Sequence, residues 1–143
     1  MTDNYERFMI SQVAVWIRDG NVLILEDARH PGEWALPGGR IDVQEDPKKA
    51  FARELKEEIN MDAFEVIKRL DMEVWYTRNK NVPYCAVAYF IKSDHQDVQL
   101  SFEHLSYKWI SEEEISDYPY LWECAERMLQ AGFDQVRQSS TSV

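Results

Sequence analysis

GRIDVQEDPKKAFARELKEEINM, running from Gly39 to Met61, is the stretch from which the rest of the chain can be read. Asp46-Pro47 reads as an N-cap with proline at the first helical position, and Asn60 as a left-handed stop. The spacing between them predicts a helix of about three to four turns, an ordinary globular length. On that helix Phe51, Leu55 and Ile59 fall at i, i+4 and i+8 and form a buried stripe. Glu54, Glu57 and Glu58 gather beside the stripe over an arc of roughly 100°. Their placement works against the helix. Glu54 and Glu58 are like charges at i, i+4, which costs about 0.2–0.5 kcal/mol. Glu57 and Glu58 sit in the last turn and Lys48 and Lys49 in the first, each on the side the helix dipole disfavours, by about 0.3–1 kcal/mol. A hard divalent cation would reverse the sign, because clustered carboxylate oxygens are what Mg²⁺ or Mn²⁺ coordinates.

Outward from this helix, the N-terminal side carries two β-branched runs, Ser11–Arg18 and Asn21–Leu25, around Asp19-Gly20: a hairpin. Glu26–Gly39 is rich in Gly and Pro and reads as loop, with Trp34 packing on a sheet. On the C-terminal side Glu65–Tyr76 and Pro83–Lys92 read as long strands. Val98–Ser101 and Tyr107–Ile110 read as shorter ones around a polar loop holding Glu103 and His104. Ser111 reads as a cap before the acidic turn Glu112–Glu114. A final amphipathic helix is expected over about Tyr120–Ala131, ending at Gly132, with a frayed polar tail from Gln135 to Val143. Strand-rich segments with interspersed helices predict an α/β (α+β) sandwich, a mixed sheet flanked by helices, in one domain over residues 1–134.

The 143 residues suit one compact domain, and 45% hydrophobic with 29% charged residues is a globular balance. No apolar run is long enough to span a membrane, and the N-terminus lacks the basic-then-apolar pattern of a secretory signal. The net charge of −10 disfavours a long nucleic acid backbone. It does not disfavour a small polyanion bridged by divalent cations. Cys85 and Cys124 show no metal spacing and read as buried thiols in a reducing, cytoplasmic setting.

Gly39, Glu45, Arg53, Glu54, Leu55, Glu57, Glu58 and Met61 reproduce a known pattern: Gly, five residues, Glu, seven residues, then Arg-Glu-apolar-x-Glu-Glu-x-Gly-apolar. The segment resembles the Nudix box, and WALPGG (Trp34–Gly39) resembles the family's usual approach to it. Asn60 stands where the family has its last glycine; Asn tolerates the left-handed conformation, so the helix can still stop there. A Glu-x-x-Glu-Glu run alone is most often a solvated helix face; the rest of the box turns the reading toward a site.

The resemblance implies a Nudix-type, Mg²⁺-dependent (or Mn²⁺-dependent) pyrophosphohydrolase acting on a nucleoside diphosphate linked to another group. Carried over by position, Glu57 and Glu58 are core metal ligands, Glu54 is a further ligand or the base, and the Gly39 carbonyl reaches the metal. Arg53 orients Glu54, and Glu45 braces Arg53. Some members take the base from a loop outside the box, and Glu103, in an EHxxYxW stretch resembling small NTP- or dinucleoside-polyphosphate-cleaving members, is the candidate here. His104 reads as a surface or packing histidine, and Tyr107 and Trp109 as strand core. Arg29 is a candidate phosphate contact. Trp75, Tyr76, Arg78 and Lys80 surround a loop where a base could stack, although Trp75 and Tyr76 serve equally as packing. The expected substrate is a nucleoside triphosphate or dinucleoside polyphosphate, because sugar-nucleotide members tend to carry an extra N-terminal dimerisation segment. A monomer or homodimer is expected. The alternative is a catalytically silent nucleotide-binding module, which would ordinarily have lost box acids that remain here.

Overall fold

A computed structural model describes residues 4–77 and 81–141. The first hairpin forms as the sequence requires: β1 (Met9–Arg18) turns through Asp19 and Gly20, with φ of 52° and 82°, into β2 (Asn21–Asp27). Two positive φ values at a two-residue loop match the twist of the flanking strands. β3 (Trp34–Ala35) pairs with β2, and β4 (Gly38–Arg40) pairs with β1. Helix α1 (Pro47–Ile59) follows, then β5 (Glu65–Tyr76), β6 (Pro83–Lys92) and β7 (His104–Ile110). A 3₁₀ turn over Glu112–Asp117 leads to helix α2 (Ala125–Thr141). The path through the sheet is β3-β2-β1-β6-β5, with β7 beside β2. β1 and β6 run parallel and the other pairs antiparallel, so the sheet is mixed.

Strand alternation divides the core into two layers. From β1, Val13 and Val15 join Met128, Leu129 and Phe133 of α2 on one face. Ala14 and Trp16 join Phe51, Leu55 and Ile59 of α1 on the other. The stripe read from the helical period is thus the buried one. Leu55 has no exposed surface, a burial that stabilises by about 1.5–3 kcal/mol. The α/β/α sandwich expected from the sequence is the fold.

Two expectations give way. Val98–Ser101 is not a strand. Its alternation is real, since Val98 and Leu100 pack on the α1 layer. Its backbone, however, bonds to helix carbonyls: Gln99 N–H donates to Ile59 O at 3.4 Å and Ser101 N–H to Glu58 O at 3.2 Å. Those carbonyls lie past the end of the helical ladder and need partners. The final helix is also shifted: it starts at Ala125 and continues to Thr141, through the stretch expected to fray. Gly132 does not stop it. A Cβ there would lie 2.4 Å from Val15 Cγ1, so the glycine lets α2 sit close against the sheet.

Candidate active site

The helix that carries the acids is fixed at both ends. Asp46 accepts a hydrogen bond from Lys49 N–H at 3.1 Å, with Pro47 behind it. Asn60 adopts φ 59°, ψ 32°, with Asn60 N–H donating to Lys56 O and Met61 N–H to Leu55 O. That is the closure a glycine usually provides, achieved by asparagine.

Arg53 is the hub. Its Nε and Nη2 donate to the two oxygens of Glu45 at 2.7 and 2.9 Å, a bidentate clamp. Its Nη1 reaches Glu54 at 3.0 Å and Glu57 at 3.2 Å, and Nη2 also donates to the Arg40 carbonyl at 3.2 Å. Asp42 stands 3.4 Å from Nη2 as well, so one guanidinium serves four carboxylates and a carbonyl of β4. The clamp holds Glu45 down at about 2, with the Asp42 N–H assisting, and raises Arg53 further. Glu54 moves the other way, up to about 7: burial is the main cause, Arg53 opposes it, and Glu58 and Glu57 add to it.

The burial of Glu54 has a visible origin. A Cβ on Gly39 would lie 2.1 Å from both Cδ and Oε2 of Glu54, so the carboxyl occupies the space that any side chain at 39 would need. That is why the box begins on glycine. Glu58 is buried deeper, at 7% exposure, and its carboxyl is pushed up chiefly by that burial. His104 and the Gly38 N–H pull it back, while Glu103 pushes it further up. Glu57, by contrast, stands open at 56% side-chain exposure.

His104, expected as a surface or packing histidine, is packed, and it also meets a box acid. Its Nε2 is hydrogen-bonded to Glu58 Oε2, and its side chain is 7% exposed. Burial alone would depress the imidazole, but the Glu58 carboxylate against it raises it. Glu58, Glu103 and His104 offer ligand atoms all within 4.8 Å of one another. Glu103 arrives there because the strap Val98–Ser101 is tied to α1, and Ala28 N–H donates to the Glu103 carbonyl at 2.9 Å. A cavity of about 280 Å³ opens beside it, lined by Glu57, Glu58, Ser101, Phe102 and Glu103. The signal in the sequence for His104 is its place beside Glu103 in the EHxxYxW stretch.

The remaining candidates are more scattered. Arg29 is exposed on the β2–β3 loop. Trp75 is half-buried, with its ring centroid 5.1 Å from Tyr84 and 5.5 Å from Trp122, in an aromatic trio beneath α2. Arg78 and Lys80 lie outside the described residues. Trp34 packs edge-on against Tyr118, as a sheet-packing residue should. Trp109 meets Trp16 edge-on at 4.9 Å, while Tyr107 is 42% exposed, so only the tryptophan serves the core. Both cysteines are free and buried, and burial raises both thiols, Cys124 to about 11. Among the described residues, no helix is long and apolar enough to cross a membrane.

The sandwich thus gathers four glutamates and one arginine on a single loop–helix–loop. A family model of the NUDIX domain matches residues 9–131, and the chain belongs to that family of pyrophosphohydrolases. It is similar to the bis(5′-nucleosyl)-tetraphosphatase [asymmetrical] of Caenorhabditis elegans, 34% identical over 101 residues, covering 67% of this chain and 73% of the relative. It is similar also to the CTP pyrophosphohydrolase of Escherichia coli, 30% identical over 117 residues, covering 78% and 82%. The solution structure of the E. coli ORF135 protein superposes with a TM-score of 0.75 at 23% identity, covering 96% of each chain, a likeness of fold.

Proposed function

We propose that this Nudix hydrolase cleaves a phosphoanhydride bond in a nucleoside triphosphate or dinucleoside polyphosphate, using Mg²⁺ or Mn²⁺. The observation that carries this is the charge balance of the box. Glu54 and Glu58 are buried and pushed up, Glu57 and Glu103 stand beside them, and Arg53 is already divided among Glu45, Glu54 and Glu57. Oxygen donors without enough cations are a fit for a hard divalent ion. Glu54, Glu57, Glu58 and the Gly39 carbonyl are the residues that would hold it. Once bound, such an ion neutralises a diphosphate and makes a coordinated water more acidic.

The chain's own residues then divide the work. Glu45 fixes Arg53, and Arg53 fixes Glu54 and Glu57, so the acids are oriented before substrate arrives. His104 and the Gly38 N–H fix the Glu58 carboxyl, the way hydrogen-bonded outer partners would orient a metal ligand. Glu103 takes the proton from the attacking water, with Glu54 the alternative base. Exposed Arg29 meets a phosphate, whereas Trp75, packed with Tyr84 and Trp122 beneath α2, is the weaker candidate for a base. The substrate class follows the names of the relatives, a nucleosyl tetraphosphatase and a CTP pyrophosphohydrolase. A cytoplasmic setting fits two buried free thiols.

The test is a Mg²⁺-dependent hydrolysis panel of nucleoside triphosphates, dinucleoside polyphosphates and sugar nucleotides, run in ¹⁸O-water. Turnover of a triphosphate or dinucleotide, lost with chelator, is the expected result, and the label locates the phosphorus attacked. Turnover confined to sugar nucleotides, or none at all, would overturn the substrate assignment.

A further inference from the structure

The box helix is supported from below by the first strand, which buries two polar residues: Ser11, hydrogen-bonded to the Tyr84 hydroxyl at 2.6 Å, and Gln12. Gln12 is 5% exposed, and its side-chain oxygen has no hydrogen-bond partner among the described residues. Its neighbours at alternate positions, Ala14 and Trp16, face the α1 layer, so Gln12 points to that side too. Gln12 is the cross-strand partner of Gly39. Opposed residues on one face hold their side chains about 4.5–5.5 Å apart at Cβ. Gly39 has no side chain, and the carboxyl of Glu54 fills the place where one would stand. The register therefore sets the Gln12 side chain on the same face as, and next to, the space that the Glu54 carboxyl fills.

The geometry points to Gln12 as a positioning residue for Glu54, holding the carboxyl from the sheet side while Arg53 holds it from the helix side. The chemistry matches. A half-turn of the amide exchanges its oxygen for its NH₂ at almost unchanged shape, and the NH₂ donates to a carboxylate. A buried amide otherwise lacks a reason to occupy a position where β1 elsewhere carries valine, alanine and tryptophan. The two grips differ in kind. Arg53 is shared with Glu45 and Glu57, whereas Gln12 would serve Glu54 alone.

The inference rests on the reading that Glu54 belongs to the metal site, and the experiment separates the two. Mn²⁺ binding is measured with the metal alone for wild type, Gln12→Met, Glu54→Gln and the double variant, together with Tm, kcat and KM on CTP and a dinucleoside tetraphosphate. Methionine keeps the volume and removes the amide; Gln12→Leu repeats the test should methionine disturb folding. The expected result is a Mn²⁺ Kd raised about 10-fold by Gln12→Met, the usual cost of losing an outer-sphere partner. Tm should not fall, and kcat should drop while KM stays within about twofold. In the Glu54→Gln background the same change should add nothing. Unchanged Mn²⁺ binding in both Gln12 variants overturns the inference, as does a full additional loss on top of Glu54→Gln. If Glu54→Gln by itself leaves Mn²⁺ binding intact, the Glu54 assignment is what fails.

Discussion

The acids of α1 and those around α2 solve opposite problems. Beside α2, Asp71 and Glu73 each meet Arg127 at 2.7 Å, and Glu112 meets Arg137 at 2.7 Å. Glu112 is pulled below the usual carboxylate range by Arg137 and then Gln130, and Glu114 by the Ser111 backbone. There, every charge named has its partner, and the acids in the 3₁₀ turn lie at its start. In α1 the lysines open the helix and the glutamates crowd toward its end, Glu54 and Glu58 are pushed up, and a single arginine is divided among four carboxylates. Size does not mark the site either. The larger cavity, about 490 Å³, lies between the 3₁₀ turn and α2, while the box opens on one of about 280 Å³. What distinguishes the two regions is unbalanced charge, held in place by packing.

If this contrast is right, substitutions should separate activity from stability. The largest effect is expected at the box acids: Glu57→Gln or Glu58→Gln should abolish turnover with circular dichroism and Tm preserved, and near-wild-type rates from both would break the contrast. Glu103→Gln should slow kcat by about 10²-fold or more, the range for a lost general base; stopped assays showing an unchanged rate would return the proton to Glu54. Leu55→Ala, under the same helix but facing the core, should instead cost about 2–5 kcal/mol in chemical denaturation.

Two of the carboxylates that share Arg53 give a sharper comparison. Glu45 is depressed from 4.5 to about 2, so its stabilisation is present above pH 4.5 and is lost as pH falls toward 2. Glu54 is raised from 4.5 to about 7, so without metal the fold is favoured below pH 4.5 and loses stability as pH rises toward 7. In chelator, Glu45→Gln should flatten the acid limb of the Tm–pH curve and Glu54→Gln the limb above it. Identical curves for both variants would contradict the assignment. The smallest effect is expected at α2: Arg137→Gln should leave kcat within about twofold, because an exposed ion pair contributes little.

Much of this was legible from residue spacing. The helix, its caps, its buried stripe and its acid face follow from Asp46-Pro47, Asn60 and the period of Phe51, Leu55 and Ile59, because local backbone chemistry decides them. The strands β5 and β6 follow equally from β-branched and aromatic runs. Tertiary contacts decided what was missed. Val98–Ser101 alternates like a strand, but its hydrogen bonds go to the end of α1. Gly132 resembles a helix stop until Val15 is found beneath it. Gln12 carries no local signal and His104 only its place beside Glu103, since each matters for what lies across the fold: the space above Gly39 for one, Glu58 for the other.

The most direct measurement is Mn²⁺ titration followed by electron paramagnetic resonance, without substrate and then with a non-hydrolysable nucleotide. Loss of the free-ion signal in wild type, abolished together by Glu57→Gln and Glu58→Gln, is the result expected of acids gathered to hold a cation. Equal Mn²⁺ uptake by wild type and both variants, or none by wild type even with nucleotide, would contradict it.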